Sequence, residues 1–294
     1  MEQLHEEKLK KLEALANDIR ISIIETLAEA KSGHSGGQLG MADIFTAMYF
    51  HVLNHDPKKP EWSERDRLIL SNGHICPVLY VTMAFAGYFP KEELKTLRKI
   101  NTRLQGHPHR QVLPGLETTS GPLGSGLSQT CGMALASRLD KMKNRFYCMM
   151  SDGECDCGNT WEAAMLAGKY KLSNITAVVD RNNIQIDGNT ENIMPLEPFR
   201  GKWESFGWHV IEVDGHNIEQ FVDAINEAHA IYEKPTVIIA HTIPGKGVSF
   251  MEGDYRWHGA PPGEGPEDIV PKTEQVKKAL EDLRMIGRKL KEAY

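Results

Sequence analysis

The chain has 294 residues and a formal charge of −6, with 40 % hydrophobic and 25 % charged residues, values that are ordinary for a globular protein. This mild acidity, without a basic stripe, argues against a protein that binds nucleic acid or an anionic membrane surface. The five cysteines are scattered and form no C-x-x-C pair, so they are not a disulfide framework, and we expect a cytoplasmic location.

The first thirty residues have apolar positions at three- and four-residue spacing, which predicts an amphipathic helix over 4–29. Its charged start is not typical of a secretory signal. A glycine-rich turn over 33–40 follows, and then a second helix over 41–50. The longest apolar stretch, 75–89, is shorter than a membrane span and contains a proline and a glycine, so we expect no membrane segment.

Short apolar runs bounded by Gly, Asp or Pro predict five strands, at 67–70, 146–150, 175–179, 210–213 and 236–240. Helical patterns lie between or after them at 127–140, 161–170, 219–232 and, beyond a Pro/Gly-rich loop, 276–290. This alternation predicts an α/β fold with a mainly parallel open sheet and helices on both faces. No room remains after residue 240 for a second α/β domain, so we expect a single domain over 1–294.

Polar side chains follow two successive predicted strands. Asp152 lies in the motif Ser151-Asp152-Gly153-Glu154, and Asn182 and Asn183 follow the next apolar run. If the two strands are neighbours, Asp152 and Asn182 meet at the edge of the sheet where open α/β folds place ligands. One carboxylate and one amide oxygen are a typical partial shell for Mg²⁺ or Ca²⁺. The alternative is two ordinary turns, because Asp, Asn and Gly are turn residues.

A second candidate is the glycine-rich stretch 118–126, which leads directly into a predicted helix. Unpaired N–H groups and the helix dipole make such a junction suitable for an anion. The stretch has neither the Rossmann nor the P-loop spacing of glycines, so those nucleotide sites are poorly supported. A capped loop without a ligand is an equally good interpretation.

A third candidate is a set of histidines beside glycines in loop-like contexts, namely His34, His74, His107 and His258. Such histidines can reach a ligand and exchange protons near neutral pH. A single loop histidine is usually only solvated, and the sequence does not show that the four converge. A pair formed by Cys155 and Cys157 is a weaker candidate, since zinc sites usually need a second close pair of ligands.

Together these motifs resemble the N-terminal, diphosphate-binding half of transketolase, in order and spacing, over about residues 5–265. The matching stretches are Ser32-Gly33-His34, Leu70-Ser71-Asn72-Gly73-His74, Gly106-His107-Pro108, Thr119 to Gly126, Asp152-Gly153-Glu154, Trp161-Glu162-Ala163, Asp180 to Asn183, Lys246-Gly247 and Trp257-His258-Gly259. Each motif alone is unspecific, but the ordered set is specific.

The resemblance implies thiamine diphosphate held through a divalent metal, Mg²⁺ or Ca²⁺. It assigns the metal to the side chains of Asp152 and Asn182 and to the carbonyl of Ile184. The cofactor-binding residues that it implies are His74, Gly121, Pro122, Leu123, Gly153, Glu154, Asn182 and His258. The catalytic residues that it implies are the four histidines, His34, His74, His107 and His258, which approach the reacting centre, bind the hydroxyls of the donor sugar and assist proton transfer.

The reaction that the resemblance implies is transfer of a two-carbon ketol unit from a ketose phosphate to an aldose phosphate. In the family, a second α/β domain binds the aminopyrimidine and supplies an activating glutamate and the residues that hold the sugar phosphate. We find no position for that domain here. The expected partner is therefore a separate C-terminal, pyrimidine-binding transketolase subunit in a two-plus-two heterotetramer.

Three positions depart from the family pattern. Cys157 replaces the glutamate that usually follows the metal aspartate by five residues and takes part in contacts between subunits, which puts the coupling of paired sites in doubt. Ser35 follows His34 where many relatives have proline, so a more flexible loop is expected. Pro244 replaces a lysine found in some relatives, and Lys246 lies two residues further on.

Three alternatives stay open. The chain could be a non-catalytic, cofactor-binding paralogue, to which Cys157 lends weak support. It could be a subunit of another thiamine diphosphate enzyme, similar to deoxyxylulose-phosphate synthase. It could also be a metal-dependent phosphate enzyme without thiamine, which binding of thiamine diphosphate would distinguish.

Overall fold

The structure is a computed structural model that describes residues 4–292. The two ends of the domain predicted over 1–294 lie outside the described residues, and the single-domain assignment stays a prediction. The helices are α1 Glu6–Ala30, α2 Gly36–Gly40, α3 Ala42–Ala47, α4 Cys76–Ala86, α5 Ser125–Leu139, α6 Gly158–Lys169, α7 Thr190–Ile193, α8 Phe199–Ser205, α9 Ile218–Ala230 and α10 Lys272–Glu292. The strands are β1 Arg67–Leu70, β2 Phe146–Ser151, β3 Ile175–Arg181, β4 Ile184–Gln185, β5 Gly188–Asn189, β6 His209–Asp214 and β7 Thr236–His241.

Five strands form one sheet in the order β1-β2-β3-β7-β6, and every neighbouring pair is parallel. The predicted parallel sheet is confirmed. β2 and β3 are neighbours, with Ser151 opposite Asp180, so the segments that follow these strands begin side by side. The carboxyl ends of the strands share one edge, which is where parallel sheets place their ligands.

Successive residues of the central strands pack into two different cores. Tyr147 and Met149 of β2 join a core with α1, α3, α4, α9 and α10. Phe146 and Cys148, which alternate with them, join a second core with α5, α6 and α8. This period of two confirms that helices cover both faces of the sheet. None of the helices between residues 4 and 292 is long and apolar enough to cross a membrane.

The structure corrects the prediction of a turn over 33–40, because 36–40 is a short buried helix. The helix predicted over 41–50 is broken, since α3 passes into a π-helical turn over Met48–Val52. The apolar stretch 75–89 contains α4, whose nearly complete burial leaves no polar face and therefore no amphipathic period in the sequence. The hairpin of β4 and β5 is too short for strand alternation to reveal it.

Candidate active site

A cavity of about 380 Å³ opens at the carboxyl edge of the sheet. Its wall includes the ends of β2 and β3, the glycine-rich loop before α5 and the hairpin of β4 and β5. The residues that line it are His34, His74, His107, Gly121, Leu123, Ser151, Gly153, Glu154, Asn182, Ile184, Gln185, Ile186, Asp187 and His258. The four glycine-flanked histidines, whose convergence the sequence left open, thus lie in one cavity with residues from the two other candidate motifs.

Three of the histidines pack against one another. The ring centroids lie 5.0 Å apart for His34 and His74, 5.2 Å for His74 and His258, and 5.7 Å for His34 and His258. His107 lies beside them, within about one van der Waals contact of the sites where Gly73 and Gly121 would carry a Cβ. Side chains at these two glycines would push His107 away from its neighbours, which explains why the loops contain glycine there.

Burial lowers the pKa of all four imidazoles, because a charged ring loses its hydration in the cavity wall. The pKa of His34 falls to about 4, and the pKa values of His74, His107 and His258 are also lowered. The Nδ1 atoms of His34 and His258 are buried without a hydrogen-bond partner among the described residues. The cluster is therefore neutral at physiological pH and able to accept protons from a ligand.

Asp152 lies fully buried directly after β2. Its Oδ1 accepts a hydrogen bond from the Gly153 N–H at 2.7 Å, and its Oδ2 accepts one from the Asn183 N–H at 2.7 Å. The Arg181 guanidinium lies 3.3 Å from Oδ2. Burial raises the pKa of Asp152 to about 6. A bound cation would favour the ionised form and reverse that shift.

Asn182 and Ile184 lie beside this carboxylate in the turn that follows β3. The Asn182 Oδ1 accepts a hydrogen bond from the Ile184 N–H at 3.0 Å, and its Nδ2 donates to Asp180 Oδ2 at 2.7 Å. Burial raises the pKa of Asp180 to about 7. The turn brings the Asp152 carboxylate, the Asn182 amide and the Ile184 backbone to the same corner. Between residues 4 and 292 there is no group of three His, Cys, Asp or Glu side chains suited to a metal.

Glu154 supports the glycine-rich loop. Its buried carboxylate accepts hydrogen bonds from the Gly124 N–H at 2.6 Å, from the Ser151 N–H at 3.3 Å and from the Ser71 hydroxyl. Ser71 in turn accepts one from the Gly126 N–H at 3.0 Å. Glu154 thus joins the ends of β1 and β2 to the loop, a connection between distant residues that no local pattern reveals.

The remaining predicted residues divide between the cavity and its surroundings. Gly121 and Leu123 line the cavity, whereas Pro122 is exposed on the outer side of the loop. Sequence reasoning missed Gln185, Ile186 and Asp187 of the hairpin wall. Gln185 Nε2 donates to Asp156 at 2.9 Å, which fixes the hairpin to the turn that follows Asp152. A side chain of this kind could be found only from the pairing of β4 with β5.

The three departures have distinct environments. Cys157 is partly exposed at the start of α6, close to Gly124, and burial raises the pKa of its thiol. The expected flexibility after His34 is not seen, because the Ser35 hydroxyl donates to the Ala260 carbonyl at 2.7 Å and the Gly245 N–H donates to the Gly36 carbonyl at 2.9 Å. Lys246 is half-buried and does not line the cavity.

The sequence matches a family model described as transketolase, thiamine diphosphate binding domain, over residues 11–279. The chain belongs to the transketolase family. Its resemblance to that family, its parallel sheet and its position as the diphosphate-binding half are thereby confirmed.

Curated relatives of similar length are named as separate subunits. The 6-deoxy-6-sulfo-D-fructose transketolase subunit SqwG of Clostridium sp. is 44 % identical over 247 residues, which are 84 % of this chain and 90 % of that protein. An apulose-4-phosphate transketolase subunit of Phocaeicola vulgatus is 40 % identical over 264 residues, with 90 % and 94 % covered. The chain is therefore an N-terminal transketolase subunit, and the names of these relatives imply a partner subunit.

A solved structure of transketolase from Leishmania mexicana superposes with a TM-score of 0.82 at 32 % identity, covering 96 % of this chain and 45 % of that one. The human transketolase is 38 % identical over 92 % of this chain and 44 % of its own length. The chain thus spans less than half of these single-chain transketolases.

Proposed function

We propose that the chain binds thiamine diphosphate through a divalent cation and, with a partner subunit, transfers a two-carbon ketol unit from a ketose phosphate to an aldose phosphate. The observation that carries this proposal is the cavity in which four neutral imidazoles face the glycine-rich loop and the turns after β2 and β3. A protein that only bound the cofactor would have no need for this set of proton acceptors.

The residues present fit the cofactor. Buried Nδ1 atoms of His34 and His258 without a partner among the described residues provide polar contacts for a ligand. The Asp152 carboxylate, the Asn182 amide and the Ile184 carbonyl are the oxygen ligands that Mg²⁺ and Ca²⁺ prefer, and phosphate oxygens and water would complete the shell. The cavity volume is within the usual range for small-molecule sites. When bound, thiamine diphosphate supplies a nucleophilic carbon and an electron sink.

The protein would hold and orient the reactants. Asp152, Asn182 and Ile184 would hold the cation, and Gly153 would allow the diphosphate to approach the backbone closely. The loop of Gly121, Pro122 and Leu123 would lie along the cofactor, with Glu154 fixing the loop from behind. His74 and His258 would contact the cofactor on the opposite wall.

The histidines would move protons on the donor sugar. His107 is the exposed member of the cluster and lies at the mouth of the cavity, whereas the other three are partly buried. We assign His34, His107 and His258 to the donor hydroxyls. A ring nitrogen of one of them would accept the hydroxyl proton as the adjacent carbon–carbon bond breaks, which a neutral imidazole can do near pH 7.

The partner would complete the site. Leu123 and Ile186 line the cavity and are 39 % and 66 % exposed, so apolar surface surrounds its mouth. A C-terminal subunit with a pyrimidine-binding domain would cover this surface and supply the activating glutamate and the basic residues for the sugar phosphate. We expect a two-plus-two heterotetramer. The names of the subunit-length relatives support a two-chain enzyme.

Calorimetric titration of thiamine diphosphate with Mg²⁺ tests the proposal, on the chain together with the second chain that co-purifies from its native source. We expect Asp152→Ala to abolish metal-dependent binding, because no other carboxylate replaces it at the cation. Asp223→Ala, on the exposed face of α9, is the matched control and should bind like the wild type. Unchanged affinity of the Asp152 variant would contradict the metal assignment. Native mass that shows only a homo-oligomer would contradict the two-chain enzyme.

A further inference from the structure

Arg98 joins two of the turns that carry cavity histidines. Its Nη1 donates a hydrogen bond to the Ser32 hydroxyl at 2.8 Å, and its Nη2 donates to the Gly106 carbonyl at 3.4 Å. Ser32 precedes His34 by two residues, and Gly106 directly precedes His107. The planar fork of a guanidinium can contact both turns at fixed geometry, which a lysine ammonium cannot do.

The backbone at Arg98 adopts a conformation that arginine rarely takes. Its φ angle is 60°, in the left-handed region, and its N–H donates to the Leu104 carbonyl at 2.9 Å. A non-glycine residue in this region costs on the order of 1 kcal/mol. Glycine would relieve that cost but would remove the guanidinium, so the strain is consistent with a requirement for this side chain.

The guanidinium packs directly on Gly106. A Cβ at that position would lie 2.9 Å from Arg98 Nε and 3.0 Å from Cζ, which is closer than real Cβ atoms approach. The Nε atom is buried without a hydrogen-bond partner between residues 4 and 292. The glycine of the Gly106-His107-Pro108 motif thus makes room for the arginine as well as shaping the turn.

We propose that Arg98 is a positioning residue that holds the turn of His34 against the turn of His107, so that both imidazoles reach the same donor ketose. This inference rests on the proposed function for the identity of the ligand. The geometry that supports it, two turns joined by one guanidinium, does not depend on that function.

The charge of Arg98 has a second effect on the same histidines. Burial is the main cause of the lowered pKa of His107, and the Arg98 charge lowers that pKa further. For His34, burial comes first, and the neighbouring charges of His258, Arg98 and His107 add to it in lowering the pKa. The groups that face His107 are Arg98, His34 and His74. A fixed cation therefore keeps the proton-accepting form of His107 populated to lower pH.

Three variants and one control separate these effects. Arg98→Met removes both fork and charge, Arg98→Lys keeps the charge without the fork, and Gly106→Ala displaces the guanidinium while keeping the arginine. Arg103→Met is the control, because Arg103 pairs with Glu93 on the surface, away from the cavity. The measurements are imidazole titration by NMR on the full chain, affinity for thiamine diphosphate with Mg²⁺, and donor KM and kcat with the two-chain enzyme.

We expect Arg98→Met to lower kcat/KM for the donor about tenfold or more, with cofactor affinity unchanged, since misplaced contact groups cost rate more than remote binding. The titration midpoint of His107 should move to higher pH, and with it the acid limb of kcat/KM. Arg98→Lys should restore the midpoint but not kcat/KM. Gly106→Ala should reproduce the loss in Arg98→Met, which keeps the test valid if that variant does not fold.

The proposal is overturned if Arg98→Met and Gly106→Ala behave like Arg103→Met in both the His107 titration and the donor kinetics. A variant that only lowers thermal stability, with unchanged midpoint and kcat/KM, also overturns it. A wild-type two-chain enzyme that shows no ketol transfer would instead contradict the proposed function, while the NMR titration would still decide whether Arg98 controls His107.

Discussion

The cavity histidines are held neutral by burial, which makes them proton acceptors and also links them to the stability of the chain. The folded pKa of His34 is about 4, below the value of an unfolded histidine. Between these two pH values the unfolded chain binds a proton that the folded chain does not. The free energy of unfolding should therefore decrease as the pH falls through this window.

We expect His34 to contribute on the order of 2 kcal/mol to this decrease between about pH 6.5 and 4. Chemical unfolding of the full chain at a series of pH values measures it. His34→Gln should flatten the dependence, whereas His5→Gln, at an exposed position before α1, should leave it unchanged. Equal slopes for wild type and His34→Gln would show that the ring is not desolvated as described.

His107 differs from the other three histidines because it lies exposed at the cavity mouth. We expect His107→Ala to impair turnover of the donor ketose, by about a hundredfold if the ring transfers a proton, and to leave affinity for thiamine diphosphate nearly unchanged. Steady-state kinetics with the two-chain enzyme and cofactor titration compare the two effects. His241→Ala, which removes an exposed histidine paired with Glu212, is the control. A wild-type rate in the His107 variant would contradict its proposed role.

At the scale of single elements, α5 shows how closely the loop is packed against β1. A Cβ at Gly126, in the first turn of α5, would overlap the Cβ and Oγ of Ser71. Ser71 is one of the groups that donate to Glu154, so displacement there would disturb the whole loop. Gly132, further along the same helix, faces open space.

The two glycines of α5 therefore predict opposite effects for one substitution. Gly126→Ala should destabilise the chain by about 1–3 kcal/mol through overpacking and should weaken binding of thiamine diphosphate. Gly132→Ala should stabilise the helix by about 0.5–1 kcal/mol and leave binding unchanged. Thermal unfolding and cofactor titration of both variants check this, and similar behaviour of the two would refute the close packing at Ser71.

For the molecule as a whole, α10 connects the first helix to the loop that carries His258. Asn17 of α1 donates to the Leu283 carbonyl at 3.0 Å, and Asp282 accepts hydrogen bonds from the N–H and hydroxyl of Ser249 at 3.0 and 2.7 Å. Leu283 is fully buried in the larger core. The position of His258 therefore depends on contacts made near the opposite ends of the described chain.

We expect Leu283→Ala to lower the free energy of unfolding by about 2–5 kcal/mol, because it removes a buried side chain from a close-packed core. Met285→Ala, on the same helix and 43 % exposed, should change it by less than about 0.5 kcal/mol. Denaturant unfolding compares the two. A small effect at Leu283 would show that α10 packs loosely on α1.

Much of the fold was predictable because it follows from local patterns. The five strands of the sheet and the amphipathic helices lie within a few residues of their predicted positions, since alternation and three-to-four spacing reflect burial directly. The helix at 76–86 and the turn of helix at 36–40 were missed for the opposite reason. Residues buried on all sides leave no periodic signal.

The sequence by itself determined the α/β class, the membership of a family and which polar residues were candidates for the site, because these depend on residue types in a fixed order. Only the tertiary structure decided that the four histidines share one cavity and that Glu154 and Arg98 hold its loops. These contacts join residues far apart in the chain. Their geometry depends on strand order and packing, which no local pattern contains.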